Sequence, residues 1–352
     1  MSMKIVQVVP RLESGGVERG AIEVASSLVA AGHEAVLISQ GGQLVDEVER
    51  VGARHVLMSV ADKSIKALGA LRTLKRWLES ERPDVIHPRS RLPAWLCWRI
   101  WKSMPVERRP GLVTSVHGLH SVNRYSSVIS RGERVEVVSR TARQYLEDHY
   151  VVDPRDKVRV IHRGIDPNAY FPEYRPDQAW LDTWYRQWSS TSRVPTLVLP
   201  GRLTRLKGHE ALFPLVRLLA RTGRDIRVLV IGGVDPKRRR YAREIQSTVR
   251  NDPVLSKHIV FLGHRSDLRD IMSVADIVLS LSSRPESFGR TVLEALSLGT
   301  PVVGYRHGGV GEILNEVCPD GAGDPDKPRD VVARIESFLE SPPLIANHEF
   351  TL

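Results

Sequence analysis

Glu286 and Glu294 are the residues whose type and spacing most invite chemistry. They close the stretch Ser283-Arg284-Pro285-Glu286-Ser287-Phe288-Gly289-Arg290-Thr291-Val292-Leu293-Glu294, eight positions apart. The apolar run Asp276–Ser280 before them reads as a buried strand. Pro285 and Gly289 punctuate a turn, and Val292, Leu293, Leu296 and Leu298 then give a helical apolar face that Gly299 stops. This puts Glu286 on a loop at a strand's C-terminal end and Glu294 about two turns into the next helix. The backbone N–H groups near Phe288–Arg290 then point into the same crevice. In an open α/β sheet that crevice is where ligands bind, and a helix N-terminus favours phosphate. Two carboxylates there suit hydroxyl groups, as on a sugar and a ribose. A loop Glu and a solvated helix Glu would give the same spacing, so the surrounding residues decide.

Other chemistry-bearing residues follow apolar runs in the same way. Gly201-Arg202-Leu203-Thr204-Arg205-Leu206-Lys207-Gly208 follows the strand Thr196–Pro200. Arg202 offers a planar fork and Lys207 a point charge, a pair suited to an anion. His117-Gly118 ends the strand Gly111–Val116, and Gly15-Gly16 lies between the strand Lys4–Val9 and a helix with Ile22, Val24, Ala25, Leu28 and Val29 on one face. A dinucleotide fold has to be considered there. The spacing is Gly-Gly-x-x-x-Gly rather than G-x-G-x-x-G, and no P-loop motif occurs. Gly232-Gly233 and His264-Arg265 also sit at strand ends.

The elements that hold these residues alternate. Helices at Gln43–Val51 and Lys63–Ser80 separate strands at Arg54–Met58 and Asp84–His87. Further strands are expected at Arg134–Val138, Lys157–Ile161, Ile226–Ile231 and His258–Leu262, and helices at Pro236–Arg250 and Asp326–Glu340. Ser139 is placed to cap the helix that follows it. This rhythm means βαβ units and parallel sheets. With 352 residues the chain suggests two domains. Cys97 and Cys318 are too few for a disulfide framework or a zinc site, and a reducing cytoplasm fits. No run approaches the roughly 18 apolar residues of a spanning helix, and the opening residues lead too quickly into a glycine loop to read as a signal peptide. The net charge of +10 implies an anionic partner.

Two basic stretches carry their own alternatives. In Lys63–Ser80, Ile65, Leu68, Leu71 and Leu78 point inward while Lys63, Lys66, Arg72, Lys75, Arg76 and Trp77 decorate the rest, as a solvated face or one docking on anionic lipid. Trp95, Trp98 and Trp101 lie among Arg91, Arg99 and Lys102 at helical spacing, for core packing, a membrane edge or nucleic acid. A βαβ helix is required here and no RNA-binding motif accompanies the stripe, so core packing is favoured and no nucleic acid is expected. Trp180, Trp184 and Trp188 recur every fourth residue in a proline-rich linker and are expected to pack on one of the domains.

Taken together, these motifs resemble those of retaining, family-four nucleotide-sugar glycosyltransferases (glycosyl transferases group 1). Glu286-Ser-Phe-Gly-Arg-Thr-Val-Leu-Glu294 matches the E-x(7)-E signature, and Gly299-Thr-Pro-Val-Val303 follows it. Gly201–Gly208 matches G-R-L-x-x-x-K-G, His307–Glu312 matches G-G-x-x-E, and Gly15-Gly16-Val17-Glu18 matches G-G-x-E. Val160-Ile-His-Arg163-Gly-Ile-Asp166 resembles V-I-x-N-G-I-D, with Arg163 in place of Asn. The likeness spans nearly the whole chain, strong in 196–315 and diffuse in 1–165.

The resemblance implies the GT-B fold, an α/β architecture of two Rossmann-like parallel-sheet domains facing each other across a cleft. Residues 1–165 would form the acceptor-side domain, 166–195 a linker with a short helix, 196–340 the donor-binding domain and 341–352 a tail. It implies that Arg202 and Lys207 stabilise a leaving diphosphate, that Glu286 contacts the donor sugar and Glu294 the ribose, and that His117 meets the sugar. Gly15, Gly16, Gly201, Gly232, Arg265, Ser287, Phe288, Gly289 and Arg290 would complete the donor site. Neither a metal nor a cofactor is expected, since two basic groups can replace a cation. The partners would be a nucleotide-diphosphate sugar, a glycan or lipid-linked acceptor and an anionic membrane surface. The place would be the cytoplasm or the inner face of its membrane, in lipopolysaccharide or polysaccharide synthesis. A nucleotide-sugar epimerase, a phosphorylase, or a non-catalytic sugar-nucleotide or nucleic-acid binding protein are the rival readings.

Overall fold

The computed structural model describes residues 1–13, 15–60, 66–152, 157–188, 194–235, 238–346, 348 and 350, with backbone only at 66–68. These form two compact units, one ending at Arg163 and the other beginning at Gly164.

The first unit runs β1 (Lys4–Val8), α1 (Gly16–Ala30), β2 (Glu34–Ser39), α2 (Val45–Arg50), β3 (Arg54–Leu57), α3 (Lys66–Glu81), β4 (Val85–Pro88) and α4 (Arg91–Ser103). It continues with β5 (Gly111–Val116), β6 (Arg134–Val137), α5 (Arg140–His149) and β7 (Val158–Val160). The strands lie parallel in the order β3-β2-β1-β4-β5-β6-β7, so the winding reverses between β1 and β4. Val6, Val8, Val36, Ile38 and Ile86 pack on one face against Leu74 and Leu78 of α3 and Leu96 and Ile100 of α4. Leu37 and Ala35 meet Ile22 and Ala25 of α1 on the other. Apolar runs buried on both faces are what a parallel sheet demands. Ser139 caps α5 as expected, its hydroxyl accepting from the Ala142 N–H at 2.9 Å.

The tryptophans of α4 have partners inside the unit. Trp98 and Trp101 pack on the core. The indole N–H groups of Trp95 and Trp101 donate to the carbonyls of Tyr125 and Pro110, and Arg131 lies over both Trp95 and Trp98. In α3, Trp77 belongs to the core, beneath Arg54, rather than to the outer face. Lys63 and Ile65 lie outside the described residues. Among the described residues no helix is long and apolar enough to cross a membrane.

The second unit runs α6 (Gln178–Trp188), β8 (Thr196–Pro200), α7 (His209–Arg221), β9 (Arg227–Ile231), α8 (Arg239–Asn251), α9 (Pro253–His258) and β10 (Ile259–Gly263). Then come α10 (Leu268–Ser273), β11 (Ile277–Ser280), α11 (Arg290–Ser297), β12 (Val302–Tyr305), α12 (Gly308–Val317), β13 (Ala322–Gly323) and α13 (Pro328–Glu340). The parallel order β10-β9-β8-β11-β12-β13 reverses between β8 and β11. His258, expected to open a strand, instead ends α9. Asp252 caps that short helix through the Val254 and Leu255 N–H groups, and Pro253 takes its first position. The beginning of the expected Pro236–Arg250 helix, Pro236 and Lys237, lies outside the described residues.

The tryptophan-rich helix α6 packs on this second unit. Trp180 and Trp184 stack at 5.0 Å, the Trp180 indole N–H donates to Asp267, and Arg227 covers Trp188. Trp184 is the one of the three that is fully inside. Trp184→Ala is therefore expected to cost about 3–5 kcal/mol, read as a lowered denaturant midpoint. An unchanged midpoint would mean that α6 contributes no packing.

Several histidines are held neutral. Burial pushes His120 down to about 4, with Arg91 adding to it, and burial with Lys207 does the same for His209, though backbone bonding opposes it. The unfolded chain protonates such groups below about 6.5, so between about 6.5 and 4 it binds more protons than the folded one. Stability is then full above pH 6.5 and is lost as pH falls through that window. Denaturant midpoints are expected to drop between pH 7.5 and pH 5, before carboxylates titrate; equal midpoints would refute this.

Candidate functional site

Residues at the C-terminal ends of β8 and β11, where the second sheet reverses, make the strongest cluster. The loop after β8 carries Arg202, exposed, and Lys207, partly buried. The loop after β11 carries Ser282 and Glu286. Lys207 Nζ donates to both Glu286 oxygens, at 2.8 and 3.0 Å. The Ser282 hydroxyl also donates to Glu286 Oε1. Burial pushes the Glu286 carboxyl upward, but Lys207, with Ser282 and His307 behind it, outweighs that and holds it below the ordinary carboxylate range. His307 Nε2 lies 3.0 Å from the Ser282 carbonyl, so Nε2 is the donor.

Backbone packed against backbone sets this geometry. Gly208 has φ +70°, and a Cβ there would fall 1.5 Å from the Leu281 carbonyl oxygen, so the β8 loop can lie against the β11 strand end only with glycine at that point. Gly308, at φ +64°, plays the same part for α12, since a Cβ there would stand 2.6 Å from the Glu286 carbonyl oxygen. The Gly309 N–H donates to that oxygen at 2.8 Å. Glu286 is thus fixed by its carboxylate on one side and its carbonyl on the other. Gly201 N–H bonds the Ile231 carbonyl and Gly232 N–H the Gly263 carbonyl, which ties the ends of β8, β9 and β10 together.

Glu294 lies closer to the helix start than expected. The loop from Glu286 uses three further residues, Gly289 caps α11, and the helix opens at Arg290, so Glu294 is about one turn in rather than two. It is buried and accepts from Arg290 Nε at 2.8 Å, an i,i+4 pair within α11. Ser287 is half-buried on the loop. The Phe288 ring is buried and meets the Phe350 ring edge-on at 6.2 Å, so its side chain serves the packing of the loop. Arg265 is tied to Asp267 by two bonds, the Nε one at 2.8 Å, and Asp267 also accepts from Trp180.

The first unit holds the remaining expected residues. Gly15 caps α1, and the Gly16 carbonyl accepts from Arg163 Nη1 at 2.9 Å. Arg163 Nη2 lies 2.9 Å from His117 Nδ1. A buried polar network stands behind them: Arg89 Nη1 donates to Gln7 Oε1, and Glu136 accepts from Ser115 and lies 3.2 Å from His87 Nε2. The motif reading missed Ser282, His307, Arg89 and Glu136 as participants. Ser282 and His307 flank quoted motifs and could have been flagged by position. Arg89 and Glu136 are buried charges whose partners come from other strands, which no local spacing reveals.

Residues 14–169 match the family model of Glycosyltransferase Family 4, and residues 182–350 that of Glycosyl transferases group 1. The N-acetyl-alpha-D-glucosaminyl L-malate synthase of Bacillus anthracis is 25% identical over 67% of this chain, a match spanning only 60% of that relative's length. The GDP-mannose-dependent alpha-(1-6)-phosphatidylinositol dimannoside mannosyltransferase of Mycobacterium tuberculosis is 24% identical over 97% of this chain and 88% of its own. A crystal structure of a glycosyltransferase from Rickettsia africae superposes with a TM-score of 0.82 at 28% identity, covering 97% of this chain and 89% of that one. With two doubly wound parallel-sheet units of the GT-B class and a family match across both, the chain belongs to the family-four, group 1 glycosyltransferases.

Proposed function

We propose that the chain transfers a sugar from a nucleotide-diphosphate donor to a glycan or lipid-linked acceptor, with retention at the anomeric carbon and without a metal. The observation that carries this is the Lys207–Glu286 pair beyond the ends of β8 and β11, where an open sheet receives its ligand. The bond from the sugar C1 to the β-phosphate oxygen breaks, and the acceptor oxygen bonds C1 on the same face. The acceptor proton passes to the departing diphosphate, so no protein nucleophile is needed. Lys207 and the exposed Arg202 stabilise the growing phosphate charge, the role a cation would otherwise fill. Glu286 accepts from sugar hydroxyls and Glu294, aimed by Arg290, from the ribose. Gly201, Gly232, Ser287, Gly289 and Arg265 line the donor, and Phe288 supports its loop. In the first unit, His117 and the Gly15-Gly16 loop offer hydrogen-bonding groups suited to a sugar.

The Mycobacterium relative, by name, uses GDP-mannose and a phosphatidylinositol dimannoside, and the Bacillus relative an L-malate acceptor. Both acceptors carry anionic groups, which with the net charge of +10 supports an anionic or lipid-linked acceptor at the cytoplasmic membrane face, as in cell-surface glycan synthesis. Arg72 and Arg76 are exposed on α3, while Lys75 lies 3.8 Å from Glu79. Liposome sedimentation is expected to show binding to anionic but not neutral vesicles; binding to neither would remove the membrane from the proposal.

Turnover with a panel of nucleotide sugars tests the reaction. Lys207→Ala is expected to lower kcat ~100- to 1000-fold with an unchanged circular dichroism spectrum. Near-normal turnover would take Lys207 out of the mechanism.

A further inference from the structure

Arg163 is the point where the chain departs from the resembled V-I-x-N-G-I-D element, and its contacts give the departure a purpose. Nη1 donates to the Gly16 carbonyl and Nη2 lies 2.9 Å from His117 Nδ1. A Cβ at Gly16 would stand 3.3 Å from Nη1, so a side chain there would crowd the guanidinium. A guanidinium has five N–H donors, no acceptor, and does not deprotonate. The contact with His117 can therefore run only one way, from Nη2–H to a lone pair on Nδ1. An imidazole with a lone pair on Nδ1 carries its ring proton on Nε2 and is neutral.

We propose that Arg163 is a positioning residue that locks His117 as the neutral Nε2–H tautomer, so that His117 meets its ligand as a hydrogen-bond donor. The ligand atom it suits is an oxygen lone pair, on a sugar hydroxyl or a phosphate; this half rests on the function proposed above, whereas the tautomer does not.

The groups around the ring act in the same sense. Arg89 and His87, from β4 and its end, and Arg163 disfavour a positive charge on His117, while Glu136 of β6 opposes them. Burial is the largest influence, and the sum holds His117 well below the usual imidazole value. A histidine in water titrates near 6.5 and divides between two tautomers. With Arg163 in place, the same ring offers one donor in one direction across the physiological range.

The experiment is nitrogen NMR of the full chain labelled in histidine, with the His117 signals assigned by their loss in His117→Asn. The wild type is expected to show a pyrrole-like Nε2 and a pyridine-like Nδ1, unchanged from about pH 8 to 6. In Arg163→Met the signals are expected to move towards a mixture of the two neutral tautomers. That variant is also expected to lose about tenfold in kcat/KM for the donor. Arg163→Lys, which still has only donors, is expected to restore both. A wild-type His117 protonated on Nδ1, or Arg163→Met with the wild-type spectrum, would overturn the proposal. The Nε2–H spectrum together with no turnover of any nucleotide sugar would uphold Arg163 as the tautomer lock and overturn only the reaction.

Discussion

A single ion pair, Lys207 with Glu286, ties together the two loops at the point where the second sheet reverses. Both side chains are largely shielded, at 26% and 18% exposure, and leaving either charge alone there would cost about 3–5 kcal/mol. The pair therefore has to form, and it can form only if two loops from neighbouring strands meet at one place. Parallel strands need long crossovers, so Lys207 and Glu286 are 79 residues apart in sequence while their parent strands are immediate neighbours. The reversal of strand order between β8 and β11 is what opens a gap for both loops. A diphosphate entering that gap would compete with Glu286 for Lys207, and a sugar hydroxyl would replace Lys207 as donor to Glu286. Binding would then exchange one set of charge-assisted bonds for another instead of burying new charge, which keeps donor affinity moderate and charge stabilisation available for the departing phosphate.

The glycines explain how the loops come close enough. At Gly208 and Gly308 the chain meets another backbone's carbonyl at distances that no Cβ could share. They act as spacers of zero thickness, one under the Lys207 loop and one under the Glu286 loop. His307 donates to the Ser282 carbonyl, and Ser282 in turn donates to Glu286. The carboxylate is thus oriented by a relay that begins at His307, the N-cap of α12 just past β12. Side chains and main chain together fix the site, and neither alone would.

Much of this was legible in the sequence because the information is local. Apolar runs four to six residues long, each followed by a turn signal, announced the parallel strands, and Ser139 announced its helix. The pairing of Lys207 with Glu286 was not announced: both residues were singled out, but as separate contributors, since nothing in local spacing says that two loops share a gap. Glu294 was set one turn too deep because the helix start depends on where the Gly289 backbone turns positive, a conformation the residue permits without dictating. His258 was misplaced because Asp-Pro, a helix-opening signal, was passed over in favour of the apolar run after it. Trp77 was put outside for the opposite reason: its neighbours Lys75 and Arg76 looked like a solvated face, yet a long aromatic ring can reach the core and let Arg54 cover it.

The two units treat charge in opposite ways, and the contrast follows from which side chains each can leave ionised. In the second unit an ammonium on a flexible stem meets a carboxylate, an arrangement that a phosphate would be able to rearrange. In the first, Arg89 is buried against Gln7, Glu136 is held against His87 and Ser115, and Arg163 is held by Gly16 and His117. Burial pushes the Arg89 guanidinium down and Glu136 up, but the hydrogen bond to His87, with the Arg89 charge beside it, reverses the direction for Glu136 and keeps it ionised. Planar, multiply bonded guanidinium groups give that network direction, because every N–H they carry can only donate. A network built on such fixed donors reorients at high cost, so His117 is held in one orientation and one tautomer, whereas the Lys207–Glu286 pair rests on a single flexible ammonium.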